Sequence, residues 1–293
     1  MELENIIYPG FNKTLSELNA LSKVKKKSCE IVDLTEIEWV RDVLRHRVEE
    51  IGSYDIKFRK PTKEEIQTVS KIVGADIDMD ELKNNFHKNK RIIGITSGKG
   101  GVGKSTITSL LGIAFDELGK KVGIMDSDIW GYSVPKILGA KFPPIPFNER
   151  IFPSRINNLN VISMDYFVKQ DEAVIWRGPM LHKAIEQFLF EVLWHDIDIL
   201  LIDMPPGTGD VSISLSQFLK YFENIVVTTP QTNATIVAER SGIMSKKVNA
   251  SIIGVIENMS YMESEGNKIY PVSYTHLRAH ETDSYLVCRL LLE

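Results

Sequence analysis

From Arg91 onward the amino-acid sequence predicts an α/β fold, a doubly wound and mostly parallel sheet, preceded by a small α/β (α+β) N-terminal domain. Three observations carry this. Short, continuously apolar segments alternate with longer amphipathic ones, the pattern of strands covered on both faces and joined by helices. A glycine-rich loop, Gly98–Thr106, lies between one such apolar segment and a helix-like one. Two other apolar segments end on aspartates, Asp126 and Asp203, and open parallel sheets bind ligands beyond the carboxyl ends of their strands.

The N-terminal domain is expected over residues 1–60, with strands at Ser28–Leu34 and Asp55–Phe58. Between them Ile37, Val40, Val43, Leu44, Val48 and Ile51 recur at helical spacing. Thr35 and Glu38 have the spacing of a capping box, and Gly52 stops the run. Pro61 breaks the pattern. Thr62 and Glu65 repeat the capping-box spacing ahead of Ile66, Val69, Ile72 and Val73, and the charged stretch up to Lys90 makes 61–90 a helical linker. The third segment, 91–271, has expected strands at Arg91–Thr96, Lys121–Met125, Leu159–Ser163, Ile197–Ile202, Asn224–Thr229 and Ser251–Glu257. Its expected helices are Lys104–Leu118, Met180–Trp194, Val211–Phe222 and Asn233–Lys247.

Composition excludes several classes. A net charge of -4 gives no broad basic surface for nucleic acid. Two cysteines, Cys29 and Cys288, do not make a disulfide framework and fit a reducing compartment. The N-terminus has neither the basic start nor the apolar core of a signal peptide, and no apolar run reaches the ~18 residues of a membrane span. A cytoplasmic protein without nucleic-acid or membrane partners is expected. Residues 272–293, VSYTHLRAHETDSYLVCRLLLE, read as the translation of a sequencing adapter, its index and the flanking primer. They are expected not to be native, so Cys288, His276 and His280 carry no weight and the native C-terminus is unknown.

Residues 98–106, GKGGVGKST, match G-x-x-x-x-G-K-[ST], the P-loop of nucleoside triphosphatases. The predicted fold is therefore a P-loop NTPase. Gly98, Gly100, Gly101 and Gly103 let the backbone curl, so that N–H groups of the stretch from Gly98 through Lys99 and Val102 converge on phosphate oxygens at a helix N-terminus. Lys104 is expected to reach the β- and γ-phosphates, Ser105 to ligate Mg²⁺ and Thr106 to contact the α-phosphate. ATP and Mg²⁺ are the expected cofactors, and a Mg²⁺-dependent ATPase the expected enzyme.

Acidic strand ends complete the site. Asp126 is expected in the Mg²⁺ shell, Asp128 to orient the attacking water, and Asp203 to hold Mg²⁺ through water in a Walker B pattern. The segment PPGTGD follows Asp203, and Gly207 there is expected to present its N–H to the γ-phosphate as part of a second switch. An aspartate at a strand end also serves as a plain turn or helix cap, a role equally open to Asp210.

The motifs GKGGVGKST, MDSDIWGYSVP, IWRGPM, DMPPGTGD, TTPQTNA and GVIENMSY occur in this order. Together they resemble the Mrp/ApbC group of ATPases, iron–sulfur cluster carriers of the deviant Walker A class, over residues 91–262. YPGFNKTLSEL more faintly resembles the small domain that precedes the ATPase in bacterial Mrp proteins. The resemblance implies a homodimer sandwiching nucleotide, with Lys99, the second lysine of the loop, reaching phosphates bound by the partner subunit. It places Asn258 near the adenine base. It also implies ATP-dependent loading or delivery of a [4Fe–4S] cluster to apo-proteins or assembly proteins, the cluster bridging two subunits through a Cys-x-x-Cys from each. Here the sequence departs from the pattern: Met262–Tyr270 contains no Cys-x-x-Cys. Cys29 lies on an expected strand, as a buried core residue would, so the iron–sulfur ligands are unknown. A partition or positioning ATPase, switching a partner, membrane or DNA, is the alternative; WRGPM and PPGTGD favour the carrier.

Overall fold

The computed structural model describes residues 2–25, 27–88, 90–129, 131–167, 178–194, 196–207, 210–230, 250–264, 267–269 and 286–291. In chain order the elements are β1 (Ile7–Tyr8), β2 (Lys13–Thr14), β3 (Leu21–Lys25), β4 (Ser28–Val32), α1 (Glu38–Glu49), β5 (Asp55–Arg59), α2 (Lys63–Ile72) and α3 (Met79–Asn85). There follow β6 (Arg91–Ser97), α4 (Lys104–Glu117), β7 (Val122–Asp126), α5 (Val134–Ile137), β8 (Ile145–Phe147), β9 (Arg150–Phe152), β10 (Ser154–Ile156) and β11 (Leu159–Ser163). The remainder are α6 (Gly178–Phe190), β12 (Ile199–Asp203), α7 (Asp210–Phe218), β13 (Phe222–Thr228), β14 (Ala250–Ser264), β15 (Asn267–Ile269) and β16 (Leu286–Leu291).

The chain forms two compact units. The first joins Met1–Asn84 with Phe142–Ser154 and Phe190–His195. In it β3 pairs antiparallel with β4, and β4 pairs parallel with β5. Helix α1 links the two parallel strands and buries Val40, Leu44 and Val48, which recur every four residues on one face. Their core partners include Tyr8, Leu15, Ile31, Val69 and Val73, together with Ile145, Phe147, Phe152 and Leu193. Two expectations change here. The segment 61–84, expected as part of a helical linker, joins the first unit, because Val69 of α2 and Val73 just after it lie in this core. The hairpin of β8 and β9, expected within the ATPase domain, also belongs to the first unit.

The helix starts show which capping reading holds. Thr62 and Glu65 form the expected box: Glu65 N–H donates to Thr62 Oγ1 at 3.2 Å and Thr62 N–H to Glu65 Oε2 at 2.8 Å. Thr35 and Glu38 do not. Helix α1 starts after Ile37 without a side-chain cap. Asp33 organises the turn instead, accepting the Glu36 N–H at 2.9 Å.

The second unit contains Asn85–Lys141, Arg155–Leu189 and Asp196–Glu293. Its sheet has the order β10-β11-β7-β12-β6-β13-β14-β15, with β16 also pairing β14. From β11 to β14 the neighbouring strands run parallel, while β15 and β16 are antiparallel to β14. Every residue of β7 and β12 is buried, which is why both read as unbroken apolar runs. Strand β12 lies between β6 and β7, so the loops after these three strands share one end of the sheet. Several ends differ from expectation: α6 stops at Phe190, short of Trp194, α7 stops at Phe218 because Phe222 opens β13, and β14 runs on to Ser264. The helix expected over Asn233–Lys247 lies outside the described residues.

Candidate functional site

The loop between β6 and α4 takes its shape from two glycines. Gly101 has φ 76° and Gly103 φ 82°, left-handed values that a side chain disfavours. Helix α4 begins immediately, with Gly103 as its N-cap and Lys104 as its first residue. A Cβ added at Gly100 or Gly101 would meet nothing within 4 Å, so this flank of the loop is open. The other flank is closed by Asn258, in β14 just past its last pair with β13. Its Nδ2 donates to the Val102 carbonyl at 2.9 Å, and a Cβ on Gly103 would fall 2.3 Å from that nitrogen.

Strand register sets the acidic side. Asp203 of β12 stands opposite Asp126 of β7, and Asp126 stands opposite Ser163 of β11, giving one row across three strand ends. Asp203 is the hub of the row. Its Oδ1 accepts from Lys104 Nζ at 2.8 Å and Thr108 Oγ1 at 2.9 Å, and its Oδ2 from Ser105 Oγ at 2.6 Å. Asp203 is fully buried and Lys104 nearly so, and a buried charge persists only when it is paired and hydrogen-bonded. Asp128 Oδ2 is 3.6 Å from the same ammonium, and Asp128 Oδ1 accepts the Gly131 N–H at 3.0 Å.

Asp126, expected in the Mg²⁺ shell, has both carboxylate oxygens hydrogen-bonded. Its Oδ1 accepts the Asp128 N–H at 3.2 Å. Its Oδ2 accepts the N–H groups of Ser133 at 3.1 Å and Val134 at 3.2 Å, and the Ser163 hydroxyl at 3.1 Å. These four donors occupy the carboxylate and fold the 127–134 segment around it. Burial, and then the neighbouring Asp203 charge, push the Asp126 carboxyl up to about 7 despite those donors. The oxygens gathered around the Lys104 ammonium are those of Ser105, Asp128 and Asp203. They are hard donors of the kind Mg²⁺ takes together with waters, so the donor set fits that ion.

The remaining expected residues fall around this centre. Thr106 is half-buried on the first turn of α4, and the Lys99 carbonyl accepts the Ser97 hydroxyl at 3.0 Å. Gly207 has φ 93°, and its N–H donates to the Ser97 carbonyl at 2.8 Å. That N–H must change partner before it can meet a phosphate. Sequence reading missed three hydroxyls, on Thr108, Ser127 and Ser163. Thr108 was detectable in principle, since it lies four residues after Lys104 and so on the same helix face.

No cluster ligand set assembles among the described residues: no group of three or more His, Cys, Asp or Glu side chains is placed to hold a metal ion. Cys29 is 1% exposed in the first unit's core, and burial pushes its thiol up, away from the thiolate that iron ligation needs. The side chain of Cys288, and those of Met262–Tyr270, lie outside the described residues.

Comparison with known proteins gives the family. Residues 88–291 match the model of a ParA-type family described as NUBPL iron-transfer P-loop NTPase. This chain belongs to that family. The match of the iron-transfer P-loop NTPase model extends to residue 291, past the start of the segment expected to be foreign. An iron–sulfur cluster carrier protein of Aquifex aeolicus is 34% identical over 275 residues, covering 88% of this chain and 76% of that protein. The namesake of Bacillus subtilis is 44% identical over 198 residues, covering 68% and 56%. That of Mycobacterium leprae is 46% identical over 180 residues, covering 61% and 47%. The chain thus spans about half the length of several curated relatives it matches. Among solved structures, a nucleotide-binding protein of Archaeoglobus fulgidus in complex with ADP is similar with a TM-score of 0.55. It is 32% identical, over 66% of this chain and 77% of that one. No described helix is long and apolar enough to cross a membrane.

Proposed function

We propose that this iron-transfer P-loop NTPase is a cytoplasmic, Mg²⁺-dependent ATPase that carries or scaffolds iron–sulfur clusters. In this reading it works as a nucleotide-switched homodimer and passes its cargo to apo-proteins or assembly proteins, with neither nucleic acid nor membrane as a partner. One observation carries the proposal: Lys104 and Ser105 of the Gly98–Thr106 loop meet on the single carboxylate of Asp203. Relatives named as cluster carriers supply the cargo.

The residues then divide the work. Backbone N–H groups of the loop and the α4 N-terminus receive the phosphates. Lys104 turns from Asp203 to the β- and γ-phosphate oxygens, and Thr106 contacts the α-phosphate. Ser105 and Asp203 would hold Mg²⁺, which would supply positive charge against that developing on the transferred phosphoryl group. Asp128 orients the attacking water. Asp126 shapes the segment that carries Asp128. Lys99 adds a cation at phosphates held by the second subunit. Gly207 exchanges its Ser97 carbonyl for the γ-phosphate, coupling nucleotide state to the second switch. Asn258, already seated on the loop, borders the base.

The test is anaerobic purification of the protein encoded by the native gene read past codon 271, reconstitution with iron and sulfide, and parallel assay of Mg²⁺-dependent ATP hydrolysis. About four irons per dimer are expected, with the absorbance of a cluster. Hydrolysis should vanish in Lys104→Ala. Hydrolysis without bound iron would overturn the carrier reading and leave a partition-type switch acting on a partner.

A further inference from the structure

We propose that Thr108 is a positioning residue for ATP hydrolysis, holding Asp203 in place when Lys104 turns away to the phosphates. This rests on the ATP-hydrolysing reading above and adds to it a residue outside the phosphate-loop motif. Thr108 sits on α4, one turn beyond Lys104, and is 0% exposed. Its hydroxyl lies 2.9 Å from Asp203 Oδ1 and 3.0 Å from the Lys104 carbonyl. It has one proton and two acceptors within reach, so it can shift wholly to either.

The need arises at Asp203 Oδ1. That oxygen receives Lys104 at 2.8 Å and Thr108 at 2.9 Å, whereas Oδ2 receives Ser105. A phosphate anion and the Asp203 carboxylate compete for the same ammonium. When the phosphate wins, Oδ1 loses its strongest donor inside a buried site, and an unsatisfied buried acceptor is costly. Thr108 is the donor that remains, because its backbone is fixed in the helix and its hydroxyl already touches the oxygen. Keeping Oδ1 engaged aims Oδ2 and Ser105 toward the metal. Ser127 fixes the other end of the residue, donating its hydroxyl to the Asp203 carbonyl at 2.7 Å.

Thr108→Val keeps the volume and removes the donor, while Thr108→Ser keeps the donor. Thr108→Val is expected to lower kcat about 10-fold and to raise the Mg²⁺ needed for half-maximal rate. The KM for ATP should stay within about 3-fold, because the loop still holds the phosphates. Thr108→Ser should lie within about 2-fold of the parent in all three. Fluorescent-nucleotide binding, titrated with Mg²⁺, reads the same shift without turnover. A residue that only packed would lower the melting temperature and leave the Mg²⁺ dependence of the folded fraction unchanged.

A double-mutant unfolding cycle with Lys104→Met gives a readout free of ATP. With the ammonium gone, Thr108 is the remaining donor to Oδ1, so Thr108→Val should cost more in the Lys104→Met background than in the parent. An additive cycle, or Thr108→Val with unchanged kcat and Mg²⁺ dependence, overturns the proposal. A parent chain that hydrolyses no ATP overturns the ATPase reading, and a non-additive cycle in that case still establishes the Thr108–Asp203 contact.

Discussion

Ser127 gives both of its donors to one oxygen: its backbone N–H, at 2.9 Å, and its hydroxyl, at 2.7 Å, both reach the carbonyl of Asp203. The segment after β7 is thereby tied to the end of β12, and Asp128 cannot move independently of Asp203. Ser127→Ala keeps the N–H bond and removes the hydroxyl. It should cost about 1 kcal/mol of stability, the ordinary worth of one buried hydrogen bond. ATP turnover should fall more than nucleotide binding, because loosened coupling affects Asp128 and not the loop. Thermal unfolding and steady-state kinetics on the same preparation check both parts. Equal losses in binding and turnover would argue against the coupling.

Gly103→Ala should abolish nucleotide binding while leaving the first unit folded. A side chain there opposes φ 82° and collides with Asn258 Nδ2 at 2.3 Å. The strain is about 1–3 kcal/mol, relieved by moving the loop or Asn258. Gly100→Ala is the control for folding, since its added Cβ meets nothing within 4 Å and should leave the melting temperature unchanged. Thermal unfolding separates the two variants, and equal destabilisation would contradict the packing described.

Acid sensitivity of the first unit should trace in part to Glu65. Two charge-assisted bonds from Arg59, at 2.9 and 2.5 Å, and then the Thr62 N–H hold its carboxyl down at about 2, below the usual 4.5. Because the folded value is depressed, the pair's stabilisation is present above pH 4.5 and is lost as pH falls toward 2. Both partners are about one-third exposed, so water screens the pair and its worth is at most about 1 kcal/mol at neutral pH. Glu65→Gln should melt lower at neutral pH and lose less stability on acidification. Parallel melting curves for parent and variant across that range would reveal the absence of any such difference.

Cys29→Ala should leave iron content after reconstitution unchanged. The thiol is buried in the first unit's core, and burial, then the Asp55 charge, push its titration up and away from the thiolate. Iron loss in this variant would make Cys29 a ligand and would require the core around β4 to open.

The segment 272–293 is proposed to be foreign, although the family match extends to residue 291. Genomic sequence read past codon 271 is expected to diverge from VSYTHLRAH. If it continues unchanged, the tail is native and β16 belongs to the sheet.

Much of this protein was legible from local pattern. The P-loop, the acidic ends of β7 and β12 and the strand–helix alternation all follow from short-range rules. Glycine spacing sets backbone conformation, and two-sided burial demands unbroken apolar strands. The Thr62–Glu65 capping box followed for the same reason, its partners being three residues apart. Tertiary structure alone decided which groups meet. Lys104 and Thr108 reach Asp203 across 99 and 95 residues of chain, and Ser127 reaches it across 76. No local period encodes such a distance; it is set by β12 inserting between β6 and β7 in one register. Register likewise gives Asp126 the Ser163 hydroxyl, which arrives only because β11 lies alongside β7, whereas its other three donors come from its own loop. The β8–β9 hairpin places Ile145, Phe147 and Phe152 in the first unit's core, where their apolar surface finds partners that the neighbouring sequence does not supply.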